Sequence, residues 1–187
     1  MDLRAPLQLQ AMIKSMTDVV LPALDPANQM AQEQAQLILG MMHLMAVRLP
    51  MEYHYDIDQL KRYLALAGEL QETVTGGPLT NAALETLVQS SLSGTDCLTR
   101  PQVSPGDLEA AVLDLRTQIS GLVEALWQDG EADCRAVAGK AVLAAAKEQI
   151  LRERAWFVPQ GWDADTSAIP AIETLIDFPT PPGQTGA

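Results

Sequence analysis

"SPGDLEAAVLDLRTQISGLVEALWQDG", residues 104–130, decides the fold. Leu108, Val112, Leu115, Ile119, Leu122 and Leu126 recur at spacings of three and four, the period of one helix face. Ser104 suits the helix cap, Pro105 the first turn, and Asp107 the positive end of the helix dipole. Asp129-Gly130 ends the segment. A helix with such a stripe must bury it against other elements.

The flanking sequence supplies helices for that purpose. Downstream, "EADCRAVAGKAVLAAAKEQILRERA" (131–155) reads as a last long helix. Its alanines let a partner helix approach closely, and Arg152 and Arg154 complement the helix C-terminus. Upstream, "SLSGTDCLTRPQVSPGD" (91–107) reads as a long loop carrying Gly94, Pro101 and Pro105. Before it, Thr80 is placed to cap a shorter helix through Leu92, with Leu79 and Leu84 as a hydrophobic staple. "TGGPLTN" (75–81) is the clearest break. "YDIDQLKRYL" (55–64) starts another helix, capped by Asp56 with Gln59 three residues on. Its predicted buried stripe is Ile57, Leu60, Leu64 and Ala67. A first helix is expected from Leu7 to Val20, stopped by Pro22, and a second opened by Asp25-Pro26 and closed at Leu49-Pro50.

No convincing alternation of period two appears, and no internal repeat. The expected fold is all-α, an up-and-down bundle of about five helices with an irregular C-terminal tail packed on it. The expected organisation is one domain over residues 1–178, with a helical core at 5–155 and a docking tail at 156–178; residues 179–187 are expected to be disordered. The tail carries at most one short helical turn. Its charges are all acidic, so it is expected to dock beside Lys147, Arg152 and Arg154.

Composition narrows the function. The chain has 24 acidic and 12 basic residues, a net charge of −12. Such a surface repels phosphate backbones and anionic lipid, which argues against nucleic acid and membranes as partners. No apolar run approaches the roughly 20 residues that span a bilayer. "MDLRAPLQLQ" lacks the pattern of a secretory signal, so the expected location is cytoplasmic. Cys97 and Cys134 are far apart, with no CxxC spacing, and read as thiols in a reducing compartment.

"GMMHLMA" (40–46) raises the question of a soft-metal site. At about 100° per residue, Met41 and Met45 stack while His43 lies practically opposite. The side chains cannot converge on one ion, so no metal site is expected. Met30, Leu37, Ile38, Met41, Leu44 and Met45 share one face and are expected to be core, with His43 at the surface or at a helix interface.

Nucleotide-binding, hydrolase, zinc-protease and EF-hand signatures are absent from the sequence. The residues three before His43 and His54 are Gly40 and Met51, so the Glu-x-x-His pairs of di-iron bundles are missing. No cofactor and no catalytic residue is assigned. Two stretches could hold a ligand. In "MEYHYDID" (51–58), Glu52, His54, Asp56 and Asp58 alternate with Tyr53, Tyr55 and Ile57. In an extended loop Glu52, His54 and Asp56 would point one way and the tyrosines the other, a set suited to proton transfer or to a divalent ion. In "RERAWFVPQGWD" (152–163), Arg152 and Arg154 adjoin Trp156, Phe157 and Trp162 around a Pro/Gly turn. That set suits an anionic ligand with an apolar part, or an aromatic anchor for a partner protein. Each stretch also has a structural reading, as a helix cap and as a ring cluster covering one end of the helices.

"VVLPAL" (19–24), followed by a long helix closing on Arg48-Leu49, resembles a family of small uncharacterised bacterial helical proteins that accompany acyl-CoA dehydrogenases and phosphotransferase-like kinases. The likeness covers about the first third of the chain. The Gln-rich "QMAQEQAQ" (29–36) departs from the charge expected there. The resemblance implies an accessory role in acyl-group metabolism and carries no catalytic residue.

The functional expectation is a non-catalytic accessory or binding protein with a protein partner; a homodimer is a further option. The alternative is a helical enzyme or small-ligand-binding protein with a pocket near Tyr53, His54 and Asp56.

Overall fold

A computed structural model describes residues 4–177. Among the described residues the chain is all-helical, without a strand. It divides into two compact units, residues 4–52 with 153–172, and residues 53–152 with 173–177.

The first unit begins with α1 (Ala5–Ser15), which runs on through a π-helical turn (Met16–Val20) into α2 (Leu21–Ala23). Pro22 does not stop the helix, contrary to the sequence reading. A proline in regular α-helix strikes the carbonyl one turn back. The widened turn, in which the Leu21 N–H reaches the Met16 carbonyl, makes room for the ring. Helix α3 (Gln29–Arg48) is capped by Asn28, whose side chain accepts from the Ala31 N–H at 3.1 Å. The expected cap, Asp25, instead accepts from the Ala27 N–H at 2.9 Å and forms the preceding turn.

Helix α3 also turns a different face inward from the one predicted. Met30, Leu37, Ile38, Met41 and Met45 are exposed. Ala35 is buried, and Ala31, Leu39, Met42 and Ala46 on the same arc are half-buried. Only Leu44 of the predicted face is buried. Small side chains on the covered arc permit close helix packing, so bulk did not decide which face went inside. His43 is exposed, as expected.

The second unit holds most of the core. Helix α6 (Pro105–Asp129) is capped as read: Ser104 Oγ accepts from the Asp107 N–H at 3.1 Å. All six residues of its predicted stripe are buried. Each fully buried leucine there contributes about 1.5–3 kcal/mol. Helix α5 (Pro78–Thr99) runs well past Leu92, which corrects the expected long loop. The hydroxyls of Ser91 and Thr95 that suggested a loop bond back to the Leu87 and Ser91 carbonyls. Gly94 lies inside: a Cβ there would stand 3.2 Å from Leu64 and 3.4 Å from both Leu60 and Leu115. Glycine at this position lets three helices meet.

Helix α4 (Glu52–Thr73) starts four residues before its expected cap, Asp56, so "MEYHYDID" is helical rather than extended. Leu60 and Ala67 of its stripe are buried, with Leu66 and Leu70 beside them; Ile57 and Leu64 are half-buried. Helix α7 (Ala132–Phe157) contributes Ala138 to this core.

Two loops clasp each other at one end. The Gly77 N–H donates to the Asp129 carbonyl at 3.0 Å, and Gly76 and Gly130 form an isolated antiparallel bridge. Asp129 Oδ2 accepts from the Leu79 N–H at 2.7 Å; its Oδ1 accepts from the Thr80 N–H at 3.0 Å and the Thr80 hydroxyl at 2.6 Å. Thr80 is thus not the cap. It is fully buried, and the end of α6 caps the start of α5. That pairing makes α5 and α6 antiparallel. Cys134 Sγ sits 3.4 Å from the Thr75 N–H and Gln149 lies 3.2 Å from Tyr55, so α4 and α7 are antiparallel too.

The tail forms two 3-10 turns, Val158–Gln160 and Ile172–Thr174, where at most one was expected. The disorder expected at 179–187 falls outside the described residues.

Candidate functional site

Helix α4 disperses the first candidate set. Glu52 and Asp56 are one turn apart on one side, while His54 lies about 200° from Glu52. The alternation expected of an extended loop is therefore lost. Glu52 and Tyr53 are exposed, and His54 and Asp56 are half-buried. Tyr53 and His54 meet edge to face, with ring centroids 5.9 Å apart.

Among the polar residues of this stretch Asp58 is the buried one, and Tyr55 is half-buried. Asp58 is buried on α4 and Arg152 is buried on α7. Arg152 Nη1 donates to Asp58 Oδ2, and Arg152 Nη2 donates to Gln149 Oε1. Arg62 Nε reaches the same Asp58 oxygen at 2.7 Å. Arg62 continues the network, donating to Glu148 at 2.9 Å and to the Leu175 carbonyl at 2.9 Å. The Arg152 guanidinium also lies 5.7 Å from the centre of the Tyr55 ring, and Gln149 Nε2 donates to the Tyr55 hydroxyl at 3.2 Å. Two carboxylates and two guanidiniums balance. Arg152 Nε is buried without a partner. Beyond this core, Lys61 binds Asp177 at 2.8 Å and holds its carboxyl below the usual carboxylate range. Asp177 therefore docks on Lys61, while Asp163 is the tail carboxylate that meets an expected partner, Arg154.

The cluster fixes α4 against α7. One part of it was legible: Asp58 and Arg62 stand four apart, the spacing of a helical ion pair. Tyr55 and Gln149 gave no comparable signal.

In the first unit, the second candidate set is split among separate contacts. Arg154 Nη2 donates to Asp163 at 2.8 Å, and this pairing raises the Arg154 pKa. Trp156 receives the buried Arg48, which lies 5.5 Å from its ring centre. Arg48 was missed by the sequence reading. Its Nε donates to the Trp156 carbonyl at 2.9 Å and its Nη2 to the Ala155 carbonyl at 3.0 Å, closing the free carbonyls at the end of α7. Past that end, Gly161 adopts φ +69°, the left-handed region that glycine enters freely. The turn brings Trp162 back onto Phe157, with centroids 5.6 Å apart and planes 19° from parallel. Gln160 Nε2 fixes this turn to α3, at 2.9 Å from the Gly40 carbonyl and 3.7 Å from Met41 Sδ. Trp162 stays 63% exposed, so its stacking covers only one face.

Ile38, Met41 and Met45 of α3 and, beyond the turn that Gln160 fixes to that helix, Phe157 and Trp162 are large apolar side chains left exposed in this unit. Among the described residues, no three His, Cys, Asp or Glu side chains gather to hold a metal ion, and no helix is long and apolar enough to cross a membrane. No protein-family model, curated protein or solved structure matches the chain.

Proposed function

We propose that the protein is a non-catalytic binding protein that acts through protein–protein contacts, using the outward face of α3 and the stacked Phe157–Trp162 pair. The observation that carries this reading is the exposure of that face. Soluble chains rarely leave contiguous apolar patches beyond a few hundred Å2 without a partner to cover them. Aromatic residues and methionine are the side chains enriched at the centre of such contacts.

A ligand pocket built on the arginines has less support. Arg152 and Arg154 would have to be free to meet an anion, and Asp58 and Asp163 hold them. We also read the helices as an up-and-down bundle, which the antiparallel pairs α5–α6 and α4–α7 support. The net charge of −12 and the two free thiols support a cytoplasmic location. The resemblance at residues 19–24 and 48–49 supports an accessory role in acyl-group metabolism.

A photo-crosslinking amino acid at position 41, introduced in the cells that make the protein, tests the reading. We expect a covalent protein adduct from position 41 and none from exposed position 116. Absence of any adduct at 41, or turnover by the purified chain alone, overturns it.

A further inference from the structure

We infer that the partner seated on the outward face of α3 is a second copy of this chain. The inference rests on the protein-contact reading above and names the occupant of that surface. Three observations point to self-association.

The first is the distribution of charge. The chain carries −12, so two copies repel unless they meet where carboxylates are absent. Helix α3 is such a place. Apart from His43, its only ionisable side chains are Glu33 and Arg48. Arg48 is buried, and Glu33 lies off the arc of Met30, Leu37, Ile38, Met41 and Met45. A basic partner recruited by charge would instead be drawn to the acidic surfaces elsewhere.

The second is the polar residue inside the face. Met30, Gln34, Leu37 and Met41 follow one another at spacings of four, three and four, the seam of a two-helix contact. Gln34 is the one polar member. A carboxamide both donates and accepts, so the Gln34 side chains of two copies can satisfy each other across a two-fold axis. A lone carboxylate or ammonium could not.

The third is size. Met30, Leu37, Ile38, Met41 and Met45 are between 42% and 69% exposed. Together they leave on the order of 500 Å2 of surface in water, the larger part of the roughly 800 Å2 each partner gives to a standard interface.

Sedimentation velocity on the full chain over a range of concentrations tests the inference. The wild type is expected to sediment as a dimer. Met41→Glu places two carboxylates against each other and is expected to raise the dissociation constant at least about a hundredfold. Leu92→Glu, at an exposed leucine of α5, serves as a control and is expected to leave the dimer intact. Circular dichroism shows whether each variant stays helical. Gln34→Glu and Gln34→Lys should each weaken the dimer, and mixing the two should restore it.

A wild type that remains monomeric overturns the second-copy assignment, as does a dimer that survives Met41→Glu. If the chain is monomeric while the crosslinker at position 41 captures a different protein, only the identity of the partner is wrong. If it is monomeric and position 41 captures nothing, the protein-contact reading fails as well.

Discussion

Asp129 closes α6 and, through the same carboxylate, caps α5: its two oxygens take the Leu79 N–H, the Thr80 N–H and the Thr80 hydroxyl. One side chain thus joins the two loops at that end of the second unit. The Thr80 hydroxyl is the main cause that lowers its pKa below the ordinary 3.8, with the two backbone N–H groups adding to the effect. A carboxyl with a depressed folded-state pKa stabilises the fold above its unfolded pKa, and that stability is lost as pH falls through the folded value. Asp129→Asn is therefore expected to lower the urea midpoint at neutral pH. The gap from wild type should hold from about pH 8 down to about pH 5 and narrow below the ordinary carboxylate value. A gap that stays constant into strong acid would mean that the charge of Asp129 does not matter.

Gly77 makes room for that carboxylate. A Cβ on Gly77 would stand 2.6 Å from Asp129 Oδ2, with the Asp129 Cγ at 2.8 Å. Gly77→Ala should push the carboxylate out of its cap and cost much of what Asp129→Ala costs. The two changes remove the same hydrogen bonds, so the double variant should be no worse than the more damaging single one. Additive losses in denaturant unfolding would show that the glycine acts independently of Asp129.

The buried pair of Asp58 and Arg152 predicts an asymmetry. Removing Asp58 leaves Arg152 buried with only Gln149 as a hydrogen-bonding partner, and loss of one partner of a buried pair costs ~3–5 kcal/mol. Removing Arg152 still leaves Asp58 its bond from Arg62. Asp58→Ala should therefore destabilise more than Arg152→Met, and the double variant should recover part of the Asp58→Ala loss. Equal single losses in urea titrations would count against the network as drawn.

Legibility from sequence followed how strongly one face was forced inward. Helix α6 carries large apolar residues on one stripe and was readable down to its Ser104 cap. Helix α3 has apolar residues almost all round, so periodicity could not say which side would be covered. The Gly, Ser and Thr of residues 91–95 looked like loop because local propensity sees neither the i−4 hydroxyl bonds nor the leucines closing on Gly94. Asp58–Arg62 was visible as a helical spacing. Arg48 against the end of α7 was not, since contacts across 107 and 108 positions leave no local pattern.

Gly94 turns that lesson into a measurement. In the middle of a helix, alanine is favoured over glycine by about 1 kcal/mol. Here a Cβ must also fit 3.2 Å from Leu64 and 3.4 Å from Leu60 and Leu115. The gain and the crowding oppose each other, so Gly94→Ala should change stability by less than about 1 kcal/mol. Gly94→Leu cannot be absorbed, because Leu60 and Leu64 of α4 and Leu115 of α6 already close on the position. Overpacking of this kind costs about 1–3 kcal/mol. Thermal unfolding of both variants separates a packed helix from a loop. In a solvated loop neither substitution would matter, whereas in a tight three-helix contact only the larger one is damaging.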